Sequence, residues 1–219
     1  MTFVASVMPL VCWLLYAVLV QPVEKRRPSL TMLMREQRRR WVANALRRDT
    51  PLDAILSSTI MGAVNFFAST TVLLILTLFA VFGQIGSVSG FLVDISPQAH
   101  FTPDDLRMHL AIMLVMFFLA FLVFTLSLRQ FNHYCILLGA SDHRKEPDES
   151  EIEAITALNA LGARYFNNGI RVYYFSLASV AWFVSPWAAI GASVLIVAFV
   201  IYREFFSAPY RIVVRLPRA

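Results

Sequence analysis

Arg129, Gln130, Asn132 and His133 interrupt a stretch that is otherwise apolar. Arg129 and His133 stand four apart, so on a helix they share one face. Ionisable groups near membrane depth are costly and usually face protein or water. A guanidinium, an amide and an imidazole grouped there suit an anion, a lipid headgroup or a proton step. Asn167, Asn168 and Arg171 offer the same chemistry further along, and Asn65 places an amide inside another apolar run. A plainer reading competes. Arg129 then only marks the membrane interface, where its long stem lets the charge reach water. The return to apolar residues over 134–138 keeps the pocket reading open.

A second set is basic. Arg35, Arg38, Arg39, Arg40, Arg47 and Arg48 gather with Trp41 inside residues 21–53. Such a cluster could draw nucleic acid electrostatically. It lies between two apolar spans, however, and Trp41 suits the headgroup region. Contact with anionic lipid headgroups is the expectation, and no nucleic-acid partner is expected. A third set is Asp94, His100, Asp104, Asp105 and His109. Asp105 and His109 stand four apart, which suits a weak metal site. Against that, the spacing lacks a zinc pattern, and acids at a helix start beside two surface histidines explain it as well. Cys12 and Cys135 lack metal or disulfide spacing and read as packed thiols. No nucleophile elbow, HExxH, Walker or CxxC sequence is present, so no catalytic residue, metal or cofactor is expected.

The elements that hold these groups follow from composition. The chain has 219 residues, 58% hydrophobic and 15% charged, with mean hydropathy +0.64. Soluble domains are roughly 45–50% apolar and about 25% charged. A disordered chain, a coiled coil and an ordinary soluble enzyme are thereby excluded. The expected fold is an all-α polytopic transmembrane helical bundle with amphipathic cytoplasmic helices, forming one membrane domain. A helix needs about 20 apolar residues to cross a bilayer. Spans are expected at about 2–20, 58–82 and 108–128, with 170–206 either a hairpin or one kinked span around Ser185-Pro186. The first run is followed, not preceded, by Lys25, Arg26 and Arg27, so it reads as a retained span and not a secretory signal.

Local signals divide the rest. Ser29 is placed to cap an amphipathic helix reaching about Arg48, with Leu30, Met34, Trp41 and Ala45 on one stripe. Thr50 and Pro51 are expected to open the next helix, with Asp53 near its positive end. Ser58, Gly62, Asn65 and Ser69 share one face of it, a packing stripe. Gly83, Gly86 and Gly90 are expected to break it before an external loop over 87–107. Thr102-Pro103-Asp104-Asp105 starts a helix reaching about Leu138. An acidic linker and a short amphipathic helix fill 140–165, with a capping box at Ser150–Glu153 and a turn at Asn167-Asn168-Gly169.

Charge then orients the chain. Residues 21–53 hold nine basic and four acidic residues, residues 87–107 one and three, and residues 202–219 four and one. Lys and Arg favour the cytoplasmic side. The N-terminus is therefore expected outside and the C-terminus inside, which requires an odd number of crossings. Five crossings are preferred to four.

Three blocks carry a family likeness: SLRQFNHYCILLGA over 127–140, YFNNGIRVYYF over 165–175 and YREF over 202–205. Their content and spacing resemble the family of small bacterial membrane proteins catalogued as domain of unknown function 599. The resemblance implies a bacterial inner-membrane location and brings no established activity or catalytic residue. The expected role is a non-enzymatic assembly or interaction protein that contacts anionic lipid, with itself or another membrane protein as partner. A small oligomeric channel or transporter using Arg129 and His133 is the alternative, and a lipid-directed enzyme a more distant one.

Overall fold

A computed structural model describes residues 1–48, 50–95, 102–142 and 144–216. These residues form eight α-helices: α1 (Thr2–Arg26), α2 (Leu30–Ala45), α3 (Leu52–Phe82), α4 (Ile85–Ile95), α5 (Pro103–Ala140), α6 (Glu149–Val180), α7 (Pro186–Phe205) and α8 (Ala208–Val213). By length and composition, four helical stretches can cross a membrane: Thr2–Glu24, α3, α5 and Pro186–Val213. Their outward faces carry exposed Leu15, Val18, Leu19, Phe66, Leu73, Leu76, Leu122, Val194 and Leu195. Apolar surface on this scale belongs among acyl chains and not in water. The protein is an all-α helical bundle of the membrane type.

Helix starts follow capping chemistry. Ser29 Oγ accepts from the Met32 amide and opens α2. At α5 the capping box closes: Thr102 Oγ1 accepts from the Asp105 amide at 3.1 Å, and the Asp105 carboxylate accepts from the Thr102 amide. Ser185 Oγ accepts from the Ala188 amide, with Pro186 in the first turn of α7. Each cap satisfies an amide that the helix start leaves without an internal partner.

Contacts between remote residues fix the arrangement. The Thr2 hydroxyl donates to Asp105 at 2.7 Å, and Trp182 Nε1 donates to the Thr2 carbonyl at 3.4 Å. So α1 and α5 start at one end of the bundle, beside the turn between α6 and α7. At the opposite end Arg27 reaches the Phe205 carbonyl, and Arg39 pairs with Glu149. That end gathers the last turn of α1, α2, the start of α6, the end of α7 and α8. The chain reverses over a 3-10 turn, Ala181–Phe183. Beyond it α7 returns antiparallel along α6, where Tyr174 meets both Phe199 and Arg203.

α5 runs through the middle. Its Leu106, Met116, Ala120, Phe124 and Tyr134 are buried along its whole length. α6 lies against it through two glycines. A Cβ at Gly169 would meet the Phe124 ring at 2.5 Å, and one at Gly162 the Phe131 ring at 3.1 Å. Ser127 Oγ donates to the Gly162 carbonyl at 2.7 Å. Lipid tails are as apolar as leucine, so exclusion of water does not drive such helices together. Close approach and interhelical hydrogen bonds do.

Several local expectations need correction. Asn167-Asn168-Gly169 is no turn, because α6 runs through it without a break. The glycine serves the approach of Phe124, and packing overrides the local turn preference. The capping box at 150–153 does not form: Asp148 takes the cap position, and Ser150 Oγ donates to its carboxylate. Hydrogen bonding by Ser150 holds the Asp148 carboxyl below the usual carboxylate range. Thr50 does not cap α3, whose cap position is Pro51. The glycines after Phe82 make one short break, and the chain resumes as α4.

Candidate functional site

The polar chemistry concentrates where α1, α2, α6 and α7 meet. Glu204, near the end of α7, is 4% exposed. Its Oε1 accepts from the Thr31 amide at 3.1 Å and from the Thr31 hydroxyl at 2.6 Å. Thr31 is the second residue of α2, so a buried carboxylate from α7 sits on the positive end of that helix. Its Oε2 pairs with Arg171 at 3.3 Å. Arg171 also donates to Asn168 Oδ1 at 3.0 Å and lies over the Tyr16 ring, 5.2 Å from its centroid. Asn167 Nδ2 donates to Thr31 Oγ1 at 3.3 Å. Three helices are thus tied through one carboxylate, and Arg171 brings in α1 through Tyr16.

Two cavities flank this knot. A cleft of about 550 Å³ opens between α1, α2 and α6, with Arg35, Arg164, Arg171, Asn167, Asn168 and Glu24 among its walls. A smaller chamber of about 190 Å³ adds Arg38, Arg203 and Glu204. Thr31, Ala160 and Asn167 line both and form the partition. The larger cleft carries three guanidinium groups against one carboxylate. Arg171 is held by Glu204, and Arg35 pairs with exposed Glu153. Among the described residues no ion pair engages Arg164, which is exposed at the rim. Planar, forked donors facing a cleft with amides beside them suit a phosphate or a carboxylate.

The basic face of α2 is spent largely inside the molecule. Arg39 pairs with Glu149, Arg47 with Glu146 at 2.9 Å, Arg48 with Asp53 at 3.0 Å and Arg40 with Glu36 at 3.5 Å. Arg38 donates to Asn159, and Trp41 Nε1 donates to Asp53 at 2.6 Å. Burial lowers the Arg38 guanidinium from its ordinary value, while Glu149 raises that of Arg39. α2 is therefore a strut that clasps α6 and the acidic linker. The exposed pairs among them are screened by water and individually weak, so they order the strut without locking its charges away.

The sequence-derived pocket divides. Asn167, Asn168 and Arg171 meet at the cleft. Arg129, Asn132 and His133 are exposed on the outer side of α5 and line neither cavity. Their side chains are not brought to Arg171. Asn65 is exposed on α3, and Ser58, Gly62 and Ser69 are exposed with it, so this stripe is left largely open among the described residues. His109 is not a surface histidine. It is fully buried, 4.3 Å from the Trp182 ring in a stacked pair. Its Nε2 faces the Ser179 carbonyl at 3.1 Å and its Nδ1 faces Ser6 Oγ at 3.1 Å. A carbonyl only accepts, so Nε2 donates and both ring nitrogens are engaged. That leaves no lone pair for a metal shared with Asp105, which already accepts from Thr2 and Thr102. His100 lies outside the described residues, as does the Asp94 side chain. Cys12 is buried and Cys135 half-buried, and both are free thiols.

Glu204 and Thr31 were not foreseen. Glu204 lies in the YREF block, beside Arg203, and reads there as a tail charge. Its partners stand 173 and 33 residues away, and no local spacing encodes them.

Residues 4–209 match the family described as protein of unknown function DUF599, and the chain belongs to that family. No curated protein and no solved structure matches it.

Proposed function

We propose that this member of the DUF599 family is a non-enzymatic membrane protein that holds anionic lipid headgroups in the cleft between α1, α2 and α6. The observation that carries the reading is the cationic wall of that cleft, with Arg164 at the rim in no ion pair among the described residues, and Arg171 and two amides behind it. The cleft lies at the end of the bundle that collects the basic residues of α2 and α8. A positive-inside bias makes that end cytoplasmic, in a bacterial inner membrane, with the N-terminus on the far side. Anionic lipids give the cytoplasmic leaflet a negative surface, which complements it.

The test uses the full chain in mild detergent and reads thermal unfolding. Short-chain phosphatidylglycerol is expected to raise the midpoint well above the same amount of phosphatidylcholine. Arg164→Gln should clearly reduce that difference. An equal response to the two headgroups, or a response independent of Arg164, overturns the reading.

Self-assembly is a second reading with its own support. Ser58, Gly62, Asn65 and Ser69 form an exposed small-residue face on α3, and a Cβ on Gly62 would meet open space. Such faces let helices approach closely in lipid. A mass measurement in mild detergent should give a dimer or larger, and Gly62→Leu should shift it to the monomer. A monomer in the parent protein removes this reading.

A further inference from the structure

We propose that the furrow between α1 and α7 seats one acyl chain of an anionic phospholipid whose phosphate rests on Arg27. This inference needs the membrane reading but not the cleft, from which it is separate. The furrow has a volume of about 490 Å³, and Leu15, Leu19, Val23, Val194, Val197 and Ile201 form its walls. Apart from Cys12, Tyr16 and Arg27, its lining is hydrophobic. Leu15, Leu19, Val194 and Ile201 are exposed, so it opens sideways to the surroundings of the bundle.

Its length fits one leaflet. From Cys12 to Val23 a helix rises about 16 Å, and half of the hydrocarbon core is about 15 Å. Arg27 follows one turn later, at headgroup depth.

The cation at the mouth is pre-set. Arg27 Nε donates to Tyr210 Oη at 3.2 Å, and Nη2 donates to the Phe205 carbonyl at 3.2 Å. The guanidinium carbon lies 4.8 Å from the Phe206 ring centroid and 5.3 Å from that of Tyr210. A guanidinium has five N–H donors, so three stay available in a fixed fork. Arg27 is exposed and forms no ion pair among the described residues. An immobilised fork with free donors binds phosphate with little further ordering. Below it the apolar walls suit a hydrocarbon.

Native mass spectrometry of the full chain carrying Arg164→Gln, which disables the cleft, tests this after equilibration with dioleoyl phosphatidylglycerol or dioleoyl phosphatidylcholine; the variants below are made in that background. One retained phosphatidylglycerol is expected, favoured about tenfold over phosphatidylcholine. Arg27→Gln should abolish the preference and leave weak retention of both. Val194→Trp should fill the furrow and remove both lipids; Leu19→Trp, at another exposed position, serves if the first variant does not fold. Glycerol phosphate, which has no chain, should not compete. Full retention in a folded furrow-filling variant overturns the proposal, as does an unchanged preference in Arg27→Gln. Loss in Arg164→Gln alone assigns the lipid to the cleft; it overturns the furrow site and spares the headgroup reading.

Discussion

Glu204 shows how much can hang on one carboxylate. It satisfies an amide at the start of α2, a hydroxyl and a guanidinium. A buried charge left without its partner costs about 3–5 kcal/mol, whereas removal of both members of a pair is often far cheaper. Glu204→Ala should therefore destabilise strongly, by about that amount, since Arg171 would keep only Asn168 and the Tyr16 face. Arg171→Leu should do likewise, because buried Glu204 would lose its counter-charge and keep only the Thr31 donors. The double variant should lose clearly less than the sum of the two. Unfolding midpoints in one detergent measure the cycle. Additive losses would mean that the two residues act independently, and the knot would then hold nothing together.

At the scale of elements, the α5–α6 contact is set by glycines, and two glycines of this chain should respond to alanine with opposite signs. Alanine in a helix interior is favoured over glycine by about 1 kcal/mol. Gly62 has open space around its would-be Cβ, so Gly62→Ala should stabilise the single chain by up to about that amount. At Gly169 the new methyl meets Phe124, which is fully buried and stacked on Phe67. The ring has nowhere to go. Overpacking costs about 1–3 kcal/mol, which outweighs the propensity gain, so Gly169→Ala should destabilise. Phe124→Leu in that background should recover part of the loss. Thermal unfolding of the four proteins settles the signs, and a stable Gly169→Ala would refute the close contact. The same pair explains what the sequence could disclose. Long apolar runs and caps such as Ser29 and Thr102 are local, and they were legible. Asn167-Asn168-Gly169 looks like a turn because its neighbours along the chain are all that sequence shows. The ring that needs the glycine lies 45 residues away. Arg35, Arg39 and Arg47 looked free for lipid for the same reason, since their acids stand about 100 residues on. Of the site, Asn167, Asn168 and Arg171 were readable as polar groups near membrane depth. Their separation from Arg129 and His133 was not, because it depends on which way each helix face turns.

The whole molecule raises the question of parity. α1, α5 and α7 all start at the end marked by Thr2, Asp105 and Trp182. Three parallel spans need return paths. α3 supplies one, and the other falls to α6, which is not among the helices apolar enough to cross alone. The reason lies in where its polar groups point. Ser176 and Ser179, in its crossing part, are fully buried, so they meet other helices and never lipid. Polar groups are tolerated in a span when protein covers them, and a hydropathy average cannot see that cover. We therefore propose five crossings, with the α6–α7 turn on the side of the N-terminus and α8 on the side of α2. Cysteine labelling with an impermeant maleimide tests this in a chain first carrying Cys12→Ala and Cys135→Ala. Val184→Cys, exposed in the turn, should react from outside intact cells. Lys145→Cys and Arg211→Cys, both exposed, should react only after the membrane is opened. If Val184→Cys were shielded and Arg211→Cys reacted from outside, α6 would not cross. The headgroup cleft, half of whose wall is α6, would then lose its place at the cytoplasmic interface.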